Sequence, residues 1–150
     1  MGRPRSFDEV AAVAEAGRLF ARYGYEGTSV DDLVRGLGIH RGSLYSVFGS
    51  KRALYLRVLG EHVTALDGST VPPRDADLTL LLRAAVERAP VDAQAAALVG
   101  DGLRALERSL RRGHLQPAPD DEEPSAAVAR LLGEHLVRRA TRTHPLQEDA

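Results

Sequence analysis

The chain has 150 residues, a formal net charge of −1 and no cysteine, and it is 43% hydrophobic but only 5% aromatic. That length fits one domain or two small ones sharing an interface. The missing cysteines exclude disulfides and thiolate metal sites, and no apolar run approaches the ~20 residues of a membrane span. A core drawn mainly from Leu, Val and Ala, with few alternating β-branched stretches, favours helix on helix. The expectation is a soluble, cytoplasmic, all-α protein without a signal-peptide segment.

In chain order, Met1–Ser6 places Arg3 and Arg5 around Pro4. This reads either as a basic arm for phosphates or a minor groove, or as an ordinary solvated terminus. Phe7–Tyr23 has the pattern of a long helix, with Ser6 as N-cap and Glu9 three residues on. Val10, Val13, Ala14, Gly17, Phe20 and Ala21 form its apolar stripe. An interior glycine such as Gly17 costs about 1 kcal/mol relative to alanine. Gly24 closes the helix, Tyr25 is expected to pack back into the core, and Phe20 and Phe48 read as core residues and not as stacking platforms for bases.

Thr28–Leu37 reads as a short helix capped by Thr28, with Asp31 completing a capping box. Val30, Leu33, Val34 and Leu37 share one face, and Gly36 and Gly38 end the helix. A second short helix, His40–Val47, turns Leu44 and Val47 inward and His40, Arg41, Ser43 and Ser46 outward, with Tyr45 beside them. Two short helices around a glycine turn, the second polar and basic outside, match a helix-turn-helix. A plain helical hairpin with a solvated face shows the same pattern.

Ser50–Leu66 follows as a helix capped by Ser50, with Leu54, Val58, Leu59, Val63 and Leu66 in one stripe. Asp67–Asp77, rich in Gly, Ser, Thr and Pro, breaks the helical pattern. Asp77 is expected to cap Leu78–Ala89, and Pro90 separates this from a helix over Asp92–Arg112. There Ala95, Leu98, Val99, Gly102, Leu103, Leu106 and Leu110 keep a coiled-coil-like spacing. Gly113 and Leu115 suit a helix stop, and Gln116–Pro124 reads as an acidic, solvated loop. Ser125 is expected to cap a final helix to Arg142 with Val128, Leu131, Leu132, His135 and Leu136 on one side.

Two runs carry a family resemblance: F-x-x-x-G-Y-x-x-T-S over Phe20–Ser29, and G-I-H-R-G-S-L-Y-S-V-F-G-S-K over Gly38–Lys51. Together they closely resemble the DNA-binding domain of tetracycline-repressor-like (TetR-type) regulators, and the match extends to Leu66. The resemblance implies a three-helix DNA-binding head over residues 1–49. Residues 50–150 would form the connecting helix and an unusually short helical body for dimerisation and regulation. It resembles the family only loosely, chiefly around LLLRAAVERAPVDAQAAALV.

On this reading Arg41 binds a guanine or a phosphate, and Gly42 lets the backbone come close. Ser43 and Tyr45, with Ser29 and Ser46 beside them, offer hydroxyls to phosphates. His40 contacts a base or a phosphate, or is simply solvated. The resemblance adds Thr28 and Lys51 as phosphate anchors, and Lys51 sits where a helix N-terminus favours an anion. Residues 1–60 carry a net +3 and residues 61–150 a net −4, a balance that would orient the head toward DNA.

The implied partners are a double-stranded, near-palindromic operator, a second copy of the chain paired through Leu131, Leu132 and Leu136, and a releasing small ligand. The implied activity is repression of transcription. Two other readings stand: a ligand-blind DNA binder, and a protein that pairs with a full-length relative and withholds it from DNA. The histidines show no H-x-x-x-H spacing, and neither G-x-S-x-G nor a phosphate-binding glycine loop is present. No enzyme activity, cofactor or metal is therefore expected, and His135 reads as a core or interface residue.

Overall fold

The computed structural model describes residues 8–69, 75–112 and 122–141. Among them the chain forms α1 (Glu9–Tyr23), α2 (Val30–Leu37), α3 (Arg41–Phe48), α4 (Lys51–Gly68), α5 (Asp75–Arg83), α6 (Ala93–Arg111) and α7 (Pro124–Thr141), with no strand. The expectations for Met1–Phe7, for residues 70–74 of the Asp67–Asp77 break, for Gly113–Asp121 and for everything after Thr141 lie outside the described residues.

The caps explain where the head's helices begin. Asp8 Oδ1 accepts from Ala11 N at 3.1 Å, so α1 starts at Glu9 and is capped by Asp8 in place of Ser6. The capping box of α2 is also displaced from the expected position, here by one residue. Ser29 Oγ accepts from Asp32 N at 3.0 Å while the Asp32 carboxylate accepts from Ser29 N at 2.9 Å. Thr28 cannot serve as that cap, because its side chain is fully buried and its hydroxyl donates to Gly24 O at 2.7 Å. Gly38 takes the left-handed conformation (φ 64°, ψ 33°) that turns the chain from α2 into α3. Ser50 caps α4 as expected, accepting from Ala53 N at 3.0 Å.

The buried stripe of α1 is Ala12, Val13, Ala16 and Phe20. It lies beside the expected one, and Val10 is 73% exposed. The helix has two adjacent apolar faces, and the one that meets the core is set by Ala12 and Ala16, small enough for close helix approach. In α3 the inward residues are Leu44 and Phe48, a four-residue step, while Val47 points outward. Phe20, Leu33 and Leu44 are fully buried around the centre of the head.

The body departs from expectation at two caps. Asp77 lies within α5, which starts at Asp75, so it does not cap that helix. Ser125 lies inside the first turn of α7, where Pro124 supplies the preset φ suited to a helix start. Asp92 does cap α6, accepting from Gln94 N at 3.1 Å and Ala95 N at 3.3 Å. A π-helical segment, Ala84–Arg88, continues α5, and Ala89 N donates five residues back to Ala84 O at 2.9 Å.

The core runs unbroken from head to body. Leu54, Tyr55, Val58 and Leu59 of α4 join Phe20 and Leu44 on one side to Leu81, Ala95, Val99 and Leu106 on the other. α4 packs on both α1 and α6, and α6 packs on α7. The regular spacing on α6 is thus largely used within the protomer: Ala95, Val99 and Leu106 are buried, and Leu98, Leu103 and Leu110 pack against the same core.

Tyr55 gives this core a measurable pH signature. Burial pushes its phenol from 10 up to about 12, so the folded state favours the neutral ring. Its contribution is fully present below pH 10 and is lost as pH rises from 10 through about 12. Urea midpoints across that interval should fall less steeply for Tyr55→Phe than for the parent. Equal slopes would show that Tyr55 is not the residue responsible.

Candidate nucleic-acid interface

The outer face of α3 follows from its inner one. With Leu44 and Phe48 committed to the core, His40, Arg41, Gly42, Tyr45 and Ser46 are exposed and Ser43 is half-buried. A Cβ on Gly42 would meet nothing within 4 Å, so this position opens onto free surface. Ser46 Oγ donates to Ser43 O at 3.1 Å, a helix-internal contact.

Arg41 is not free on this face. Its Nη2 lies 2.5 Å from Asp31 Oδ1 of α2, an exposed pair that raises the guanidinium pKa above its ordinary value, Asp31 being the main cause. Exposed pairs of this kind hold weakly in water, so a phosphate or a base edge can displace Asp31 at little cost. Ser29, at the start of α2, is exposed with its hydroxyl engaged in the Asp32 capping box. Thr28 differs from its expected role as an anchor. Its sealed side chain cannot reach a phosphate; it fixes the turn between α1 and α2 from beneath.

Lys51 opens α4 next to Ser50 and is half-buried. Its Nζ sits 4.2 Å from the centroid of the Tyr25 ring, and the Arg88 guanidinium lies 4.3 Å from the same centroid. Tyr25 also packs edge-on against Tyr55 at 4.9 Å. The ring therefore locates the expected anchor and connects it to the body.

A charged cluster completes that connection. Tyr25 N donates to Glu87 Oε2 at 2.9 Å, and Arg83 Nη1 donates to Glu87 Oε1 at 2.8 Å. Arg52 grips Asp92 with two hydrogen bonds of 2.7 and 2.9 Å, and Arg88 reaches both Asp92 and Glu26 at 3.3 Å. The Asp92 side chain is 3% exposed, and Arg52 holds its carboxyl well below the usual carboxylate range. Gly24 takes φ 80°, which favours glycine, and a Cβ there would lie 2.5 Å from the Glu87 carboxylate and displace it.

Asp31, Arg52, Glu87, Arg88 and Asp92 were not among the expected site residues. Arg88 and Asp92 stand four apart, an ion-pair spacing visible in sequence, but that spacing says nothing of Arg52 or Tyr25.

The expected pairing residues separate into two groups. Leu131 and Leu132 are half-buried and pack on their own protomer's core, whereas Leu136 is 58% exposed. Val137, 61% exposed, continues that outward face, together with exposed Ala126, Ala129, Gly133 and Ala140. These six fall on one side of α7 at helical spacing. His135 is buried within the protomer, its Nε2 2.9 Å from Thr79 Oγ1. Among the described residues, no helix is long and apolar enough to cross a membrane.

The chain is similar to several known proteins. Residues 12–58 match the family model described as bacterial regulatory proteins, tetR family. The HTH-type transcriptional regulator YezE of Bacillus subtilis is 29% identical over 89% of this chain and 84% of its own. The HTH-type transcriptional repressor BdcR of Escherichia coli is 45% identical, but over only 41% of this chain and 32% of its own. Among solved structures, the TetR family transcriptional regulator PfmR of Thermus thermophilus has the same fold. It has a TM-score of 0.53 at 22% identity, covering 90% of this chain and 88% of that one.

Proposed function

Because the chain belongs, through residues 12–58, to the tetR family of bacterial regulatory proteins, and is thus a DNA-binding transcriptional regulator, we propose that it is a repressor working as a homodimer on a near-palindromic operator. The observation that carries the proposal is the division of α3: two residues locked in the core, and a polar, basic outer face left open. His40, Arg41 and Gly42 at the start of α3 would enter the major groove, with Arg41 released from Asp31 to a guanine edge. Ser29, Ser43, Tyr45, Ser46 and Lys51 would take the flanking phosphates and fix the register. Repression is supported by the likeness to two transcriptional repressors of Escherichia coli, BdcR and ComR, each over 41% of this chain. Pairing is supported by the open apolar face of α7. Release by a small ligand remains part of the same proposal.

Lys51 provides the direct test of phosphate contact. Lys51→Ala should weaken binding to operator and random DNA alike and reduce the magnitude of the slope of log affinity against log salt by about 0.9, the signature of one lost phosphate. Affinity titrations over a range of salt concentrations measure this. A slope identical to the parent's would mean that Lys51 stays on Tyr25 and away from DNA.

A further inference from the structure

We propose that the outer face of α1 is a binding site for a small amphipathic anion, an apolar body ending in a carboxylate. The apolar face of α1 that does not enter the core forms one wall of an open trench. Val10, Ala14, Gly17 and Ala21 line it from α1, Val58 from α4 and Leu80 from α5. The chamber has a volume of about 270 Å³. From Val10 to Ala21 α1 rises roughly 16 Å, the reach of a medium-length acyl chain.

A second open depression adjoins the trench. Arg18 and Ala21 are shared with a second chamber of about 220 Å³, whose other walls are Arg22, Thr79 and Arg139. Three guanidiniums therefore stand at one end of an apolar channel. Arg18 is paired with Glu15. Among the described residues, Arg22 and Arg139 have no carboxylate partner. Arg22 lies over the Tyr23 ring, and Arg139 donates to the Thr79 hydroxyl at 3.4 Å. Toward the other end Glu61 and His62 line the trench, and Arg57 is shared between Glu61 at 3.1 Å and Glu9 at 2.7 Å, so the guanidiniums beside Ala21 are the end suited to an anion.

This distribution selects the occupant. An uncharged apolar molecule would leave the guanidiniums unused, and a small inorganic anion would leave the trench wet. A carboxylate on an acyl chain satisfies both, its two oxygens matching a guanidinium fork. Gly17 fits this use: a Cβ there would meet Val58 Cγ1 at 3.4 Å, so any larger side chain would project into the trench floor.

The site is independent of DNA, so its failure leaves the regulator reading intact. Calorimetric titration of the full chain without DNA, using octanoate, octanol, octyl phosphate and acetate, tests it. Octanoate should bind at least about tenfold more tightly than octanol, and acetate should not bind measurably. Octyl phosphate weaker than octanoate supports the carboxylate; tighter binding overturns that assignment in favour of a phosphate monoester. Arg22→Ala with Arg139→Ala should reduce octanoate affinity to that of octanol without changing octanol. Gly17→Leu should remove both, and Ala14→Leu, at an exposed position, serves the same purpose should the glycine variant not fold. Octanoate failing to bind, binding no better than octanol, or binding equally well to a folded trench-filled variant would each overturn the proposal.

Discussion

A chain carrying Leu136→Arg together with Val137→Arg is expected to sediment as a monomer, to keep its helical circular dichroism, and to lose operator affinity by on the order of 10²–10⁴. Both side chains are more than half exposed in the protomer, so charging them costs little within one chain. In a two-fold α7 pairing the same charges would be buried against their counterparts, where unpaired guanidiniums are expensive. Once separated, each head binds without the effective concentration its mate supplies. Leu132→Arg would be a less clean probe, because Leu132 packs on its own core and its loss would also lower protomer stability. A double variant that remains dimeric would place the interface away from this face.

Arg41→Ala is expected to cost about 1–3 kcal/mol on the operator and little on random DNA, provided that Arg41 reads a base. Asp31 makes the comparison sharper. It holds Arg41 in the free protein, so Asp31→Ala alone should leave specificity in place and slightly strengthen binding by removing a competitor and a negative charge. Competition binding with operator and scrambled duplexes measures both. Equal losses on the two duplexes for Arg41→Ala would reassign it to the phosphate backbone.

The local order of the head was legible because it rests on short-range chemistry. Leu33, Leu44 and Phe20 announce themselves by spacing, and Gly38 by the left-handed turn it must make. The errors came where two adjacent residues could do the same job. Thr28 and Ser29 are both capable caps, and only tertiary packing decides that Thr28 turns inward while Ser29 caps. Phe48 is buried as expected, but Val47, expected inward beside it, is left outside, because the adjacent larger ring fills the core. Nothing in the pattern could place Lys51 and Arg88 on one Tyr25 ring, or set Asp31 against Arg41 ten residues away, because those contacts cross turns and helices. The π-helical segment is similar: it advances the chain by an extra residue beside Glu87 and Arg88, whose partners lie in the head. For the body, spacing located α6 and α7 but not which apolar residues stay outside, since that depends on the helices packed against them.

In the proposed regulator the open face of α3, held in pairs by the body, recognises a specific DNA sequence. Selection of genomic fragments by the purified chain, followed by footprinting of the enriched fragment, tests it most directly. One enriched, near-palindromic sequence is expected, with two protected half-sites centred roughly 34–36 Å apart or a multiple of that, and it should be lost with the Leu136→Arg, Val137→Arg chain. Enrichment of no fragment, or uniform protection along random DNA, would contradict it.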